Sequence, residues 1–287
     1  MKFDFAKAIA ATAEEVNNKA LGALIMGASG GGKSFITGTL GVKTLYMYTL
    51  GEDHGPKAAS VQGKDQVVPL CINYDADGNL LTYIDGETPD YDKIYGNLLN
   101  ILSSGDALKE AGFEALVLDG VPELESIIRS TNLWKEKCKT NKGAHNSFAE
   151  GPAVNELMRP VFNLLKDCQR KHGMHYVVTM TLDVAQVGDD GSIIQASPQL
   201  STYAVAETVA RQFGDILVVG RMSKGDSVKH KIQFMSNVTR ASKDLNGIIK
   251  KAMNFTPRLG AVPVENLPPI MDADLSKVLE LKGYKKK

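Results

Sequence analysis

The sequence predicts a single α/β domain: a mostly parallel sheet flanked by helices, with added antiparallel strands. Three observations predict it. Short continuous apolar runs at residues 20–27 (ALGALIMG), 115–120 (ALVLDG) and 176–182 (YVVTMTL) are bounded by turn residues, the pattern of strands buried on both faces. Segments with apolar residues at helical spacing alternate with those runs. A glycine-rich turn joins the first run directly to a helical segment.

Composition agrees. The chain has 287 residues, 43% of them hydrophobic and 23% charged, which excludes a disordered, collagen-like or coiled-coil chain. Its longest apolar stretch falls short of the ~20 residues a membrane-spanning helix needs, so no membrane span is expected. Acids appear early in the first fifteen residues, without a clean apolar run, so no signal peptide is expected either. Thirty-three basic residues balance thirty-three acidic ones, and any attraction to nucleic acid must come from local patches. Cys71, Cys138 and Cys168 are odd in number and widely spaced, which points to a reducing cytoplasm rather than a disulfide framework.

In chain order, residues 1–19 read as an amphipathic leading helix, 20–257 as the core, and 258–287 as a Pro-rich connector, a short helix and a basic tail (Lys285, Lys286, Lys287). After the first strand and its turn, a short helix starts at Lys33, and 42–50 reads as the second strand. Residues 67–84 read as a hairpin or edge excursion turning at Asp77-Gly78. Ile94, Leu98, Ile101 and Leu102 place one apolar face on a helix over 91–108. The strand at 115–120 is followed by a polar segment over 132–150 and a helix over 154–172. Residues 183–203 read as a long loop, then come a helix at 204–213 and strands at 215–222 and 229–237.

The chemistry concentrates in residues 27–34, GASGGGKS, a full match to the phosphate-loop pattern G-x-x-x-x-G-K-[ST] between a strand and a helix. Gly27, Ala28, Ser29, Gly30, Gly31 and Gly32 supply a tight turn whose N–H groups can point at phosphate oxygens. The helix start adds its dipole. Lys33 would neutralise the β- and γ-phosphates, Ser34 would ligate Mg²⁺, and Phe35 follows in the cradle. The expected ligand is a nucleoside triphosphate, ATP with Mg²⁺.

Asp119 closes a buried apolar run and is the expected second Mg²⁺-associated acid. Gly120 follows it, so the carboxylate that orients water comes from elsewhere: Glu52, just beyond the second strand, ahead of Glu123 and Asp53. A GTPase is disfavoured, because no N/T-K-x-D motif is present and D-x-x-G is missing at Asp119.

Over residues 20–256 the chain resembles the RecA-like core ATPases, in particular compact bacteriophage P-loop proteins of single-strand annealing and recombination. The resemblance rests on the order of phosphate loop, strand ending near Glu52, strand ending in Asp119, helix, strand 176–182, long segment, helix, strand 215–222 and the run SKDLNG (242–247). It implies that Glu52 is catalytic and that Thr181, with Thr179 as neighbour, senses the γ-phosphate. It also implies that Lys243 reaches a neighbouring subunit's nucleotide in a filament or ring. Leu245 stands where a second cation is expected, with Arg240 nearby as a substitute.

Two segments bear on single-stranded DNA, the partner the resemblance implies. Residues 134–146 carry four lysines, one Glu and the sole Trp, Trp134, a composition suited to phosphate neutralisation and base stacking. Residues 183–203 hold Asp183, Asp189 and Asp190 and no Lys or Arg, leaving Gln186, Gln195, Gln199 and Tyr203 as contacts; Arg221, Lys224, Lys229 and Lys231 could supplement them. His172 and His175 lack a third ligand at metal spacing and are assigned to a helix end. The expected function is a slow RecA-like ATPase acting on single-stranded DNA. The alternatives are a nucleotide-regulated adaptor with a protein partner and no DNA dependence, or a kinase, for which no Arg-rich lid is visible.

Overall fold

The computed structural model describes residues 20–52, 54–83, 86–224, 226–260 and 262–284; the expected leading helix, Asp53 and the three terminal lysines lie outside them. Six strands run parallel: β1 (Gly22–Gly27), β2 (Thr44–Tyr48), β3 (Val67–Cys71), β4 (Ala115–Asp119), β5 (His175–Val187) and β7 (Asp215–Lys224), in the spatial order β3-β2-β4-β5-β1-β7. The predicted α/β architecture, mostly parallel with antiparallel additions, is the one found.

Burial on both faces explains the continuous apolar runs. Leu24 and Met26 of β1 enter one core, Ala23 and Ile25 the other; Leu116 and Leu118 of β4 divide from Ala115 and Val117 in the same way. The first face is covered by α3 (Tyr91–Ser103), α5 (Val121–Ser130), α7 (Glu150–His172) and α8 (Tyr203–Gln212). On α7, Val154, Leu157, Met158, Val161, Phe162 and Leu165 recur at helical spacing, and Gly173 ends the helix at φ 65°. The opposite face is covered by α1 (Lys33–Thr37) and, at the carboxyl end, α9 (Leu275–Leu281). Two further short helices are α4 (Gly105–Glu110) and α6 (Asn132–Lys137).

Four readings of the sequence are corrected. Residues 183–203 are not a loop: β5 runs on to Val187 and folds back as β6 (Ile193–Pro198), an antiparallel arm turning at Gly191, φ 81°. Residues 183–187 are largely exposed on both faces, so no buried alternation marks them as strand. Residues 67–71 form a parallel edge strand on β2, and only the following turn, with Asp75 accepting from the Asp77 and Asn79 amides, resembles the expected hairpin. An unpredicted helix, α2 (His54–Gly63), carries two glycines and a proline. Packing on α1 holds it, so closely that a Cβ on Gly38 would meet the Ala59 carbonyl oxygen at 1.9 Å. No strand is predicted after residue 237, yet β9 (Asn237–Lys243), which ends at Lys243, pairs there with β10 (Ile249–Asn254).

The sheet grows beyond β7 by β8 (Ser227–Gln233), antiparallel to β7, and β12 (Ile270–Asp272), antiparallel to β8; β11 (Arg258–Leu259) adds to β7, and β9 adds to β6. Leu267, Leu275, Val278 and Leu279 are buried in the second core, which ties the segment after 257 to the sheet. Among the described residues no helix is long and apolar enough to cross a membrane.

Candidate functional site

Register brings the predicted residues together. Gly27, the last residue of β1, pairs with Thr181, and Asp119, the last of β4, pairs with Thr179. Strand β5 therefore lies between loop strand and acid strand and presents two threonines on one face, two residues apart. Above these strand ends opens a cavity of about 440 Å³. Ser29, Gly30, Gly32, Lys33, Ser34 and Phe35 line one side; Asp119, Gly120, Glu123, Thr179 and Thr181 line the other, with His54, Gly55 and Ala58 of α2 and His230 of β8.

The loop closes through a turn in which the Gly31 amide donates to the Ala28 carbonyl at 3.0 Å. Gly30 (φ 69°) and Gly32 (φ 99°) adopt the left-handed region that favours glycine. Gly27 has no room for a side chain, since a Cβ would lie 2.5 Å from the Val219 carbonyl oxygen. The Lys33 ammonium donates to the carbonyls of Gly27 (3.2 Å) and Ala28 (3.1 Å), folded along its own loop. Helix α1 has five residues, the short helix expected after the loop.

Asp119 is the polar centre of the floor and is 6% exposed. Its Oδ2 accepts the Ser34 hydroxyl at 3.0 Å and the Tyr46 phenol, and its Oδ1 accepts the Thr179 hydroxyl. Three hydroxyls from three strands or helices thus fix one carboxylate in place. Gly55 of α2 closes over this group: a Cβ there would approach Asp119 Oδ2 to 2.5 Å and the Tyr46 oxygen to 2.7 Å.

The remaining predicted residues divide. Glu123 lines the cavity, its Oε2 lying over the Gly120 backbone. Glu52 ends the 3-10 turn Leu50–Glu52 after β2, and its side chain lies outside what is described. Lys243 is exposed and does not line the cavity of its own chain. Arg240 donates to the Ser201 carbonyl at 3.1 Å. Trp134 packs against the first core; its indole N–H donates to the Glu150 carbonyl at 3.3 Å, and Arg129 lies over its ring at 5.4 Å. Lys137 and Lys139 pair with Glu156 and Glu136. Only His172 sits at a helix end; His175 opens β5 and accepts the Leu21 amide at 2.9 Å.

Sequence reasoning missed Tyr46, Gly55 and His230. A buried tyrosine needs a partner for its hydroxyl, which was a usable signal for Tyr46. Nothing local marks His230, whose partner lies 199 residues away.

No family model matches the chain, and no curated protein does. Among solved structures, a KaiC-like protein from the hyperthermophilic archaeon Pyrococcus horikoshii aligns at 13% identity and TM-score 0.39, covering 75% of this chain and 78% of that one. The flagellar accessory protein FlaH from Methanocaldococcus jannaschii aligns at 11% identity and TM-score 0.35, covering 76% and 79%. At such scores the chemistry rests on the chain's own residues. Those define an α/β protein in which a loop of the G-x-x-x-x-G-K-[ST] pattern faces a buried, triply hydrogen-bonded aspartate.

Proposed function

We propose that the chain is a RecA-like P-loop ATPase that binds ATP with Mg²⁺, hydrolyses it slowly and acts on single-stranded DNA. The observation that carries the nucleotide reading is the Ser34–Asp119 pair on the cavity floor, 3.0 Å apart beneath the glycine loop. A hydroxyl and a carboxylate are hard oxygen donors of the kind Mg²⁺ takes alongside substrate phosphates, so these residues fit the ion. When bound, Mg²⁺ would neutralise charge on the phosphates. The RecA-like reading is supported by strand placement, with the threonine-bearing β5 between the loop strand and the acid strand.

The protein's own groups do the rest. The N–H groups of the loop bind and orient phosphate oxygens, and Lys33 exchanges its two carbonyl partners for them. Thr179 and Tyr46 keep Asp119 aimed at Ser34. Thr181, at the cavity wall, hydrogen-bonds the transferred phosphoryl group. A carboxylate orients the attacking water: Glu52, in the loop after β2, or Glu123, which already lines the cavity.

Single-stranded DNA is supported by β8. Lys229 and Lys231 alternate with His230, so they lie on the strand face opposite the phosphate loop, in a second cavity of about 500 Å³ with Met222, Ser223, Ser227, Ile270 and Asp190. A polyanion held there would be one strand away from the nucleotide. The hairpin tip of β9 and β10 favours a second reading, a protein partner or a second copy of the chain, because Leu245, Ile248 and Ile249 are all exposed there.

Steady-state ATP hydrolysis with and without single-stranded DNA tests both. DNA stimulation that disappears in Lys33→Ala, and in Glu52→Gln or Glu123→Gln, is the expected result. Hydrolysis indifferent to DNA would remove the DNA role and leave the protein-partnered reading. Absence of nucleotide binding in the native chain would remove the ATPase reading itself.

A further inference from the structure

His230 sits against the phosphate loop from the far end of the chain. Its Nδ1 lies 3.0 Å from the Gly31 carbonyl oxygen, and its ring stacks at a tilt on Phe35 with centroids 5.2 Å apart. Contact is tight enough that a Cβ on Gly32 would meet His230 Nδ1 at 2.4 Å. The imidazole also lines the cavity.

A carbonyl oxygen can only accept, so the imidazole must donate from Nδ1. That hydrogen bond has a consequence for the next amide. A trans peptide is planar, with its C=O and N–H pointing in opposite directions. Pinning the Gly31 carbonyl on His230 therefore turns the Gly32 N–H the other way. Nothing else among the hydrogen bonds described for the loop constrains that peptide: the Gly31 amide is committed to Ala28, and Lys33 to Gly27 and Ala28. Glycine on both sides makes it the easiest unit of the loop to flip.

We propose that His230 is a positioning residue for triphosphate binding: its Nδ1–H bond to the Gly31 carbonyl presets the Gly31–Gly32 peptide so that the Gly32 N–H is available to a phosphate oxygen. The proposal rests on the triphosphate-binding reading of this cavity and deepens it. It also links the loop to β8, the strand whose other face carries Lys229 and Lys231.

Two variants separate the hydrogen bond from the packing. His230→Phe keeps a ring against Phe35 and removes the donor. His230→Asn supplies an amide N–H at nearly the position of Nδ1. Circular dichroism and thermal midpoints establish that each folds. Binding of tripolyphosphate with Mg²⁺ is measured by calorimetry, and conformational exchange of the Gly31–Gly32 peptide is measured by NMR relaxation dispersion in nucleotide-free protein. His230→Phe is expected to bind tripolyphosphate at least tenfold more weakly and to show microsecond-to-millisecond exchange at the Gly32 amide that the native chain lacks, while His230→Asn stays within about threefold of the native chain in binding and shows no such exchange. Equal behaviour of native and His230→Phe protein would overturn the proposal. So would equal losses in the two variants, which would reduce His230 to packing. If the native chain binds no triphosphate, the ATPase reading fails, and the exchange measurement alone then decides whether His230 orients the loop.

Discussion

Acidification should destabilise this fold through one buried imidazole, His175, by an amount the structure allows to be worked out. His175 is 1% exposed, its Nδ1 accepts the Leu21 amide, and the Tyr284 ring packs against it at 4.7 Å. Burial, and then the nearby charges of Lys282 and Lys109, push its pKa down from 6.5 to about 4. The unfolded chain takes up this proton as pH falls through about 6.5, whereas the folded chain resists until about 4. The stabilisation is therefore complete above pH 6.5 and is lost progressively as pH falls toward 4. Between pH 7.5 and pH 5 the two pKa values give a loss of about 2 kcal/mol, approaching about 3 kcal/mol below pH 4. Carboxylates also respond to acid, so the measurement is a comparison. Urea unfolding of the native chain and of His175→Gln is followed at both pH values, and the native chain is expected to lose about 2 kcal/mol more than the variant. An NMR titration of His175 should show no midpoint above pH 5. Parallel losses in the two proteins, or a midpoint near 6.5, would refute the reasoning.

Other outcomes follow from close approaches and buried thiols. Gly55→Ala drives a methyl group to 2.5 Å from Asp119 Oδ2, so it should weaken Mg²⁺-dependent nucleotide binding and cost about 1–3 kcal/mol in denaturant melts. Gly38→Ala places its methyl 1.9 Å from a backbone carbonyl of α2, and a thermal melt should show a loss at the upper end of about 1–3 kcal/mol or beyond. Cys71, Cys138 and Cys168 are buried and burial raises each thiol pKa, so a disulfide reagent at neutral pH should label none of them in the native state and all of them in urea.

The parts of the fold that could be read in advance are those whose signal is local. Buried parallel strands announce themselves by uninterrupted apolar runs, and β1, β4 and β5 begin within two residues of where those runs do. Helix α7 ends at His172, as its periodicity and Gly173 indicate. What escaped reading depends on partners distant in the chain. Helix α2 is a poor helix by its own residues and exists because it seats against α1. The β5–β6 arm looks like a loop because the outer half of β5 is largely exposed on both faces, so no buried alternation marks it. Strands β9 and β10 go unread because they are mostly exposed or half-buried and are held by pairing with each other.

The candidate site divides along the same line. Sequence alone determined the phosphate loop, because the spacing of Gly27, Gly32, Lys33 and Ser34 is itself the device: a turn that aims backbone donors at an anion needs no distant residue to be recognised. It also pointed to Asp119, which closes a buried run, and the resemblance to RecA-like ATPases implied Thr181. Only the tertiary structure decided that Asp119 is shared by Ser34, Tyr46 and Thr179, that Gly55 and Glu123 face the same cavity, and that His230 rests on the loop. Those facts depend on strand order and register, which arise from packing the whole sheet between its two cores. A hydrogen bond between residues 199 positions apart leaves no trace in the sequence around either one.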